Sequence, residues 1–196
     1  MQIVDYAFNL VLSIILIVGA YQFYFWCQRN HIAQPRQLML AIDEKIPYWP
    51  GWVWIYRFIY YPLILVLNFA LDSPRQFIHV ATSFMLLLAL QMAFFVLFPV
   101  TTPERWREFN QCRSASERFL AVVQRFDARS NSFPSMHTSV AMLTALHLQP
   151  HLGGVTFAFP VLIALSCLFT KQHYVIDLPA GAALGWSVHK VFAMIP

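Results

Sequence analysis

The chain is expected to be an all-α, polytopic membrane bundle of six transmembrane helices, and three observations lead to that fold class. Of its 196 residues, 59% are hydrophobic and only 11% are charged, whereas a soluble domain carries roughly 25% charged residues. Mean hydropathy is +0.56, so one aqueous core cannot hide the apolar surface and a bilayer is its natural solvent. Six apolar segments recur along the chain, and spanning a bilayer as a helix takes about 17–25 such residues. An aromatic content of 16% suits the interfacial belts of Trp and Tyr found at membrane surfaces.

The first span is expected over about Ile3 to Trp26. It lacks a basic n-region and a clear small-residue cleavage site, and its apolar run is long for a signal peptide. It reads as a retained membrane helix. The second span, about Trp52 to Leu71, carries Arg57, whose long side chain can snorkel toward the interface. The third runs from about Phe77 to Phe98, with His79 and Gln91 placed, like Asn68 before them, to bond across helices.

The fourth span, about Pro134 to Leu148, is short and closes at Gln149 and Pro150. The fifth runs from about Gly154 to Phe169 and the sixth from about Tyr174 to Ile195. In the sixth, Gly181 and Gly185 make a small-xxx-small face suited to close helix packing.

Two connections are long. Gln28 to Gly51 is rich in Pro and Trp and reads as interfacial. Thr101 to Phe133 contains "SASERFLAVVQRF", a short amphipathic helix that Ser114 or Ser116 can cap, with Phe119, Val122, Val123 and Phe126 on one face. No linker, repeat or low-complexity tract divides the chain, so residues 1–196 are expected to form a single membrane domain. Cys27, Cys112 and Cys167 have no metal-binding spacing and are odd in number, so they read as small apolar fillers rather than a disulfide framework.

Six spans alternate sides, which puts the starts of the fourth and sixth helices on one face together with both long loops and Lys171. His147, His151 and His189 fall toward the other face. In "TKQHYVIDLPAG", His173 and Asp177 are four residues apart, a spacing that faces them the same way on a helix. A carboxylate beside an imidazole fixes its tautomer and aims the other nitrogen outward as a nucleophile or base. His137 opens the fourth helix in "FPSMHTS". Pro134 in a first turn is pre-organised for helix, and the N–H groups near Ser135, Met136 and His137 would then form an anion-binding end. The loop arginines and Lys171 supply positive charge, and Arg is suited to bidentate phosphate contacts.

"FPSMHTS" and "HYVIDLPAG" resemble the second and third motifs of the type 2 phosphatidic acid phosphatase superfamily. "IDEKIPYWPGWVWIY" and "FPVTTPER" are similar to the upstream sequence of its membrane branch, which contains sphingomyelin and inositol-phosphorylceramide synthases. The resemblance covers Ile42 to Gly185 and implies roles. His173 would be the nucleophile that forms a phosphohistidine, Asp177 its orienting carboxylate, His137 the acid for the leaving alkoxide, and Ser135 a phosphate ligand. The family's first motif, a Lys followed by Arg-Pro, is missing. Arg105 is the best substitute for it, Cys167 stands where an Arg often precedes the third-motif His, and Lys171 replaces some of the missing charge.

The expected function is thus a metal-independent lipid phosphate phosphatase without cofactors, with a lipid phosphotransferase as the alternative. Its partners would be a lipid phosphate and membrane lipids, not nucleic acid. The excess of basic residues on the catalytic side points to a cytoplasmic site. The resemblance implies an extracytoplasmic one, which is the expectation adopted.

Overall fold

Residues 2–127 and 129–194 are described in the computed structural model of the chain. They are all-helical, without a named strand. In order, the helices are α1 (Ile3–Arg29), α2 (Ala41–Lys45), α3 (Val53–Phe58), α4 (Tyr60–Val66), α5 (Pro74–Leu97), α6 (Arg105–Glu108), α7 (Ala115–Phe126), α8 (Met136–Leu152), α9 (Ala158–Phe169) and α10 (Asp177–Ala193). Short 3₁₀ turns at Pro50–Trp52, Leu67–Ala70 and Gly153–Phe157 join several of them.

Four stretches are long and apolar enough to cross a membrane: Ile3–Arg29, Pro50–Ala70, Pro74–Leu97 and Met136–Phe169. The chain is accordingly an integral membrane protein. The last stretch is not one rod, because it holds both α8 and α9. Gly153 turns the chain between them at φ 69°, and its N–H donates to the Gln149 carbonyl. A positive φ is open to glycine at little cost. The two helices run antiparallel, since Cys167 near the end of α9 returns to the first turn of α8, within 4.8 Å of His137. α8 itself continues through Pro150, where a stop was expected. Pro150 lies in its last turn, where the missing N–H costs a single hydrogen bond.

The exterior is what a bilayer requires. Ile3, Val4, Phe8, Val11, Ile15 and Val18 of α1 point outward and exposed. The interior carries polar groups that bond between helices. Ser13 Oγ donates to Asn68 Oδ1 at 3.0 Å, and Ser83 Oγ lies 2.9 Å from His147 Nε2. His79 packs edge-on against Phe192.

α8 and α10 form the centre of the bundle. A Cβ built on Gly181 would collide with the Ser135 carbonyl oxygen, and one on Gly185 with the Ser139 carbonyl oxygen. Only glycine lets the two backbones approach this closely. Beside this seam, Leu87, Leu143 and Val188 pack as one apolar cluster.

The loops gather at one end. Arg36 bridges Val100, Trp49 N–H donates to the Phe169 carbonyl at 2.8 Å, and Ser132 N–H donates to the Val100 carbonyl at 3.1 Å. Helix α7 begins with Ser114 as its cap, in a reciprocal box with Glu117. Those backbone donors hold the Glu117 carboxyl below its usual range. The Phe119 ring of α7 stacks on Trp54 at 5.1 Å, which fastens the amphipathic face to α3.

Candidate active site

His173 does not sit on the same helical face as Asp177. It lies in the bend before α10, which begins at Asp177 rather than at Tyr174. The turn is held by the carboxylate itself, since Asp177 Oδ2 accepts from the Tyr174 N–H at 2.9 Å. The two side chains still meet: His173 Nδ1 is 3.2 Å from Asp177 Oδ2 and 2.9 Å from the Ser132 carbonyl oxygen. Both neighbours are pure acceptors, so Nδ1 carries the proton and Nε2 presents its lone pair. Both side chains are buried, Asp177 completely.

His173 Nε2 faces the N-terminus of α8, where Ser135 Oγ lies 3.3 Å away. Ser135 caps that helix and accepts from the Thr138 N–H at 3.3 Å and from Thr138 Oγ1 at 3.2 Å. Pro134 precedes the cap instead of sitting in the first turn, and its peptide bond is cis. The N–H of Ser135 is not free for an anion, because it donates to the Asp177 carbonyl at 3.0 Å. The hydroxyl of Ser135 and the helix end beyond it are the groups turned toward His173.

His137 stands 5.8 Å from His173, ring centre to ring centre. It is clasped by Tyr56 at 4.5 Å and Tyr60 at 5.1 Å. Its Nδ1 is buried without a hydrogen-bond partner among the described residues. Cys167 completes the neighbourhood, with ligand atoms of His137, Cys167 and His173 all within 4.8 Å of one another. Such a set could hold a metal ion, which the sequence did not suggest because the cysteines have no metal-binding spacing along the chain. Gln91 of α5 steadies the helix end: it donates to the Pro134 carbonyl and accepts from Ser139 Oγ at 3.2 Å.

The expected cations are placed differently from one another. Lys171 is buried. Its Nζ donates to the Asp43 carbonyl at 2.7 Å and lies 5.0 Å over the Trp106 ring. Burial lowers its pKa, and the charges of Asp43 and Glu44 oppose that shift. Arg105 is half exposed, pairs with Glu44 and donates to Met39 Sδ at 3.3 Å, away from Ser135, His137 and His173. Arg107 donates to the Gln124 and Asp127 carbonyls. The Asp127 carboxyl is pushed up by burial, against the pull of Arg107.

Sequence reasoning missed Asp43. Its Oδ2 accepts from the Leu40 N–H at 2.6 Å and its Oδ1 from the Val175 N–H at 2.7 Å. Together with the Lys171 bond to its carbonyl, this fixes the loop that carries His173. The signal available was an acidic residue in the Pro- and Trp-rich segment "IDEKIPYWP". Tyr56 and Tyr60 were also missed, and nothing in a single apolar span marks which aromatics will meet a histidine.

No solved structure matches the chain. A relative, an uncharacterized protein of Methanocaldococcus jannaschii, is 31% identical over 67 residues, covering 33% of this chain and 28% of the relative's own length. Residues 47–191 match the PAP2 superfamily, a stretch that contains both histidine segments and the whole α8–α10 seam. The chain therefore belongs to the PAP2 superfamily.

Proposed function

We propose that the protein is a metal-independent lipid phosphate phosphatase working through a phosphohistidine on His173. The observation that carries this reading is the orientation of His173: Nδ1 is held by Asp177 and the Ser132 carbonyl, so Nε2 is left as the attacking atom. Nε2 forms the N–P bond while the ester P–O bond breaks, and His137 protonates the departing oxygen. Water then attacks the phosphorus and releases inorganic phosphate. Ser135 and the α8 terminus hold phosphate oxygens. Lys171 acts mainly by fixing the catalytic loop, and Arg105 serves Glu44 rather than the phosphate.

We read the bundle as one membrane domain with six crossings: α1, the α3–α4 segment, α5, α8, α9 and α10. The antiparallel α8–α9 pair supports the division of the Met136–Phe169 stretch. The substrate is a lipid phosphate, and the site is extracytoplasmic. The alternative is a lipid phosphotransferase, in which an alcohol replaces water at the second step. The likeness of "IDEKIPYWPGWVWIY" to the synthase branch favours it.

The test is an assay of purified protein on lipid phosphates with and without alcohol acceptors. Free phosphate supports hydrolysis, and labelled headgroup on a new lipid supports transfer. Full activity of His173→Ala in both formats would overturn the reading. Labelling Cys112, an exposed loop cysteine, from outside intact cells tests the side of the membrane, and protection places the site in the cytoplasm.

A further inference from the structure

His137, Cys167 and His173 come from three different places in the fold: the first turn of α8, the end of α9 and the bend before α10. Each offers one ligand atom, and these atoms lie within 4.8 Å of one another. One thiol and two imidazoles are a donor set for Zn²⁺, whereas Mg²⁺ and Ca²⁺ take oxygen ligands. Around a tetrahedral zinc ion, nitrogen and sulfur ligand atoms stand roughly 3.3–3.6 Å apart. Side-chain rotation that closes the widest gap by about 1–1.5 Å therefore seats the ion.

The backbone that carries these side chains is fixed. Cys167 is wholly buried. Its carbonyl accepts from the Gln172 N–H at 2.9 Å, which ties the end of α9 to the segment leading into His173. His173 Nδ1 is held by the Asp177 carboxylate and the Ser132 carbonyl, which leaves Nε2 open. A carboxylate on the far ring nitrogen is the usual support of a metal-binding histidine. Among the described residues, His137 Nδ1 and Asp177 Oδ1 are both buried without a hydrogen-bond partner. Charge also balances. Asp177 and a Cys167 thiolate bring two negative charges, which one divalent cation cancels, and buried charges persist when they are paired or metal-bound. Lys171, the buried cation of the same loop, is turned instead to the Asp43 carbonyl and the Trp106 ring.

We propose that His137, Cys167 and His173 form an inhibitory Zn²⁺ site. The proposal rests on the role given above to His173 Nε2 as the attacking atom. One lone pair cannot bond zinc and phosphorus at once, so the ion and the phosphate ester exclude each other. On binding, the Cys167 S–H bond breaks, its electron pair forms the Zn–S bond, and the proton leaves to solvent. Removing the ion frees the nucleophile. Metal is thus no part of the reaction, and zinc silences the site rather than driving it.

Co²⁺ reports the thiolate directly, through a sulfur-to-cobalt charge-transfer band in the near ultraviolet. Metal-free, full-length protein in nanodiscs is titrated with Co²⁺ and then with Zn²⁺, which displaces it. Wild type is expected to show the band, and Cys112→Ser, which removes the exposed loop thiol, keeps it. Cys167→Ser loses the band and weakens Zn²⁺ binding about a hundredfold, the upper end of what losing a ligand's own hydrogen-bond partner costs. Its metal-free rate matches wild type, yet zinc that stops wild type leaves it active. Added substrate relieves the inhibition of wild type. Cys167→Ala repeats the comparison without a hydroxyl in apolar surroundings. No band in wild type, a band that survives Cys167→Ser, or a rate that zinc raises overturns the proposal. A Cys167-dependent band with turnover untouched by zinc overturns the inhibition, and with it the role of His173 Nε2, while leaving the ion site in place.

Discussion

The backbone N–H of Ser135 donates to the carbonyl oxygen of Asp177 at 3.0 Å. One main-chain bond thus ties the cap of α8 to the first residue of α10, and with it the two histidine segments. Asp177 acts twice, its carbonyl on Ser135 and its carboxylate on His173 and Tyr174. Replacing only the carboxylate separates these roles. Asp177→Asn is expected to lower kcat by about 10²–10⁴-fold, the range for general acid–base machinery, while the Ser135 bond survives. Stopped-flow or steady-state phosphate release checks this, and an unchanged kcat would show that the carboxylate does not orient the nucleophile.

Asp43→Ala removes the acceptor for the Leu40 and Val175 N–H groups. A fully buried donor left unpaired costs about 1–3 kcal/mol, and these two partly buried groups cost less than that each. The variant is expected to unfold at lower temperature in detergent and to lose activity, because the loop bearing His173 is no longer fixed. A melting temperature equal to wild type would rule out the clamp.

Lys171 gives a pH dependence whose sign is fixed by its burial. Its folded pKa is lowered, so between that value and the ordinary one of about 10.4 the unfolded chain binds more protons. Stability therefore rises with pH across that window. Against Lys171→Met, which cannot titrate, wild type should gain stability from neutral toward alkaline pH. Thermal melts of both proteins over that range test it, and a difference that moves the other way contradicts it.

The His137, Cys167 and His173 group lends itself to a direct test of metal dependence. With the phosphorus bonded to His173 and no metal in the proposed reaction, dialysis against a chelator is expected to leave the phosphatase rate intact. Cys167→Ser should do likewise. Loss of rate on chelation, restored by one added metal, would replace the phosphohistidine scheme with a metal-assisted one.

Much of this architecture was legible in residue order. Apolar run lengths located the four stretches long and apolar enough to cross a membrane, and Ser-x-x-Glu spacing located the start of α7. The motifs around His137 and His173 were found because each is a compact local string. What escaped has a physical cause. The start of α10 was placed too early because the apolar pattern continues through Tyr174 and Val175, while the turn depends on one carboxylate bond to a backbone N–H. Asp43 reaches Val175 across 132 residues, and no periodicity encodes so distant a contact. Arg57 shares a cavity wall with His137, a property of packing that its apolar neighbours in the chain do not encode.

The glycine seam has a mechanical consequence. At Gly181 and Gly185 the α10 backbone rests directly on Ser135 and Ser139 of α8, with no side chain between the two helices at those points to change rotamer. The spacing between the start of α8 and the first turns of α10 is therefore a backbone dimension, held by the same contact that joins the helices. Tilt or stretch imposed by a thicker or thinner bilayer would move these two helix segments as one body, and the frame on which the proposed site is built would keep its width.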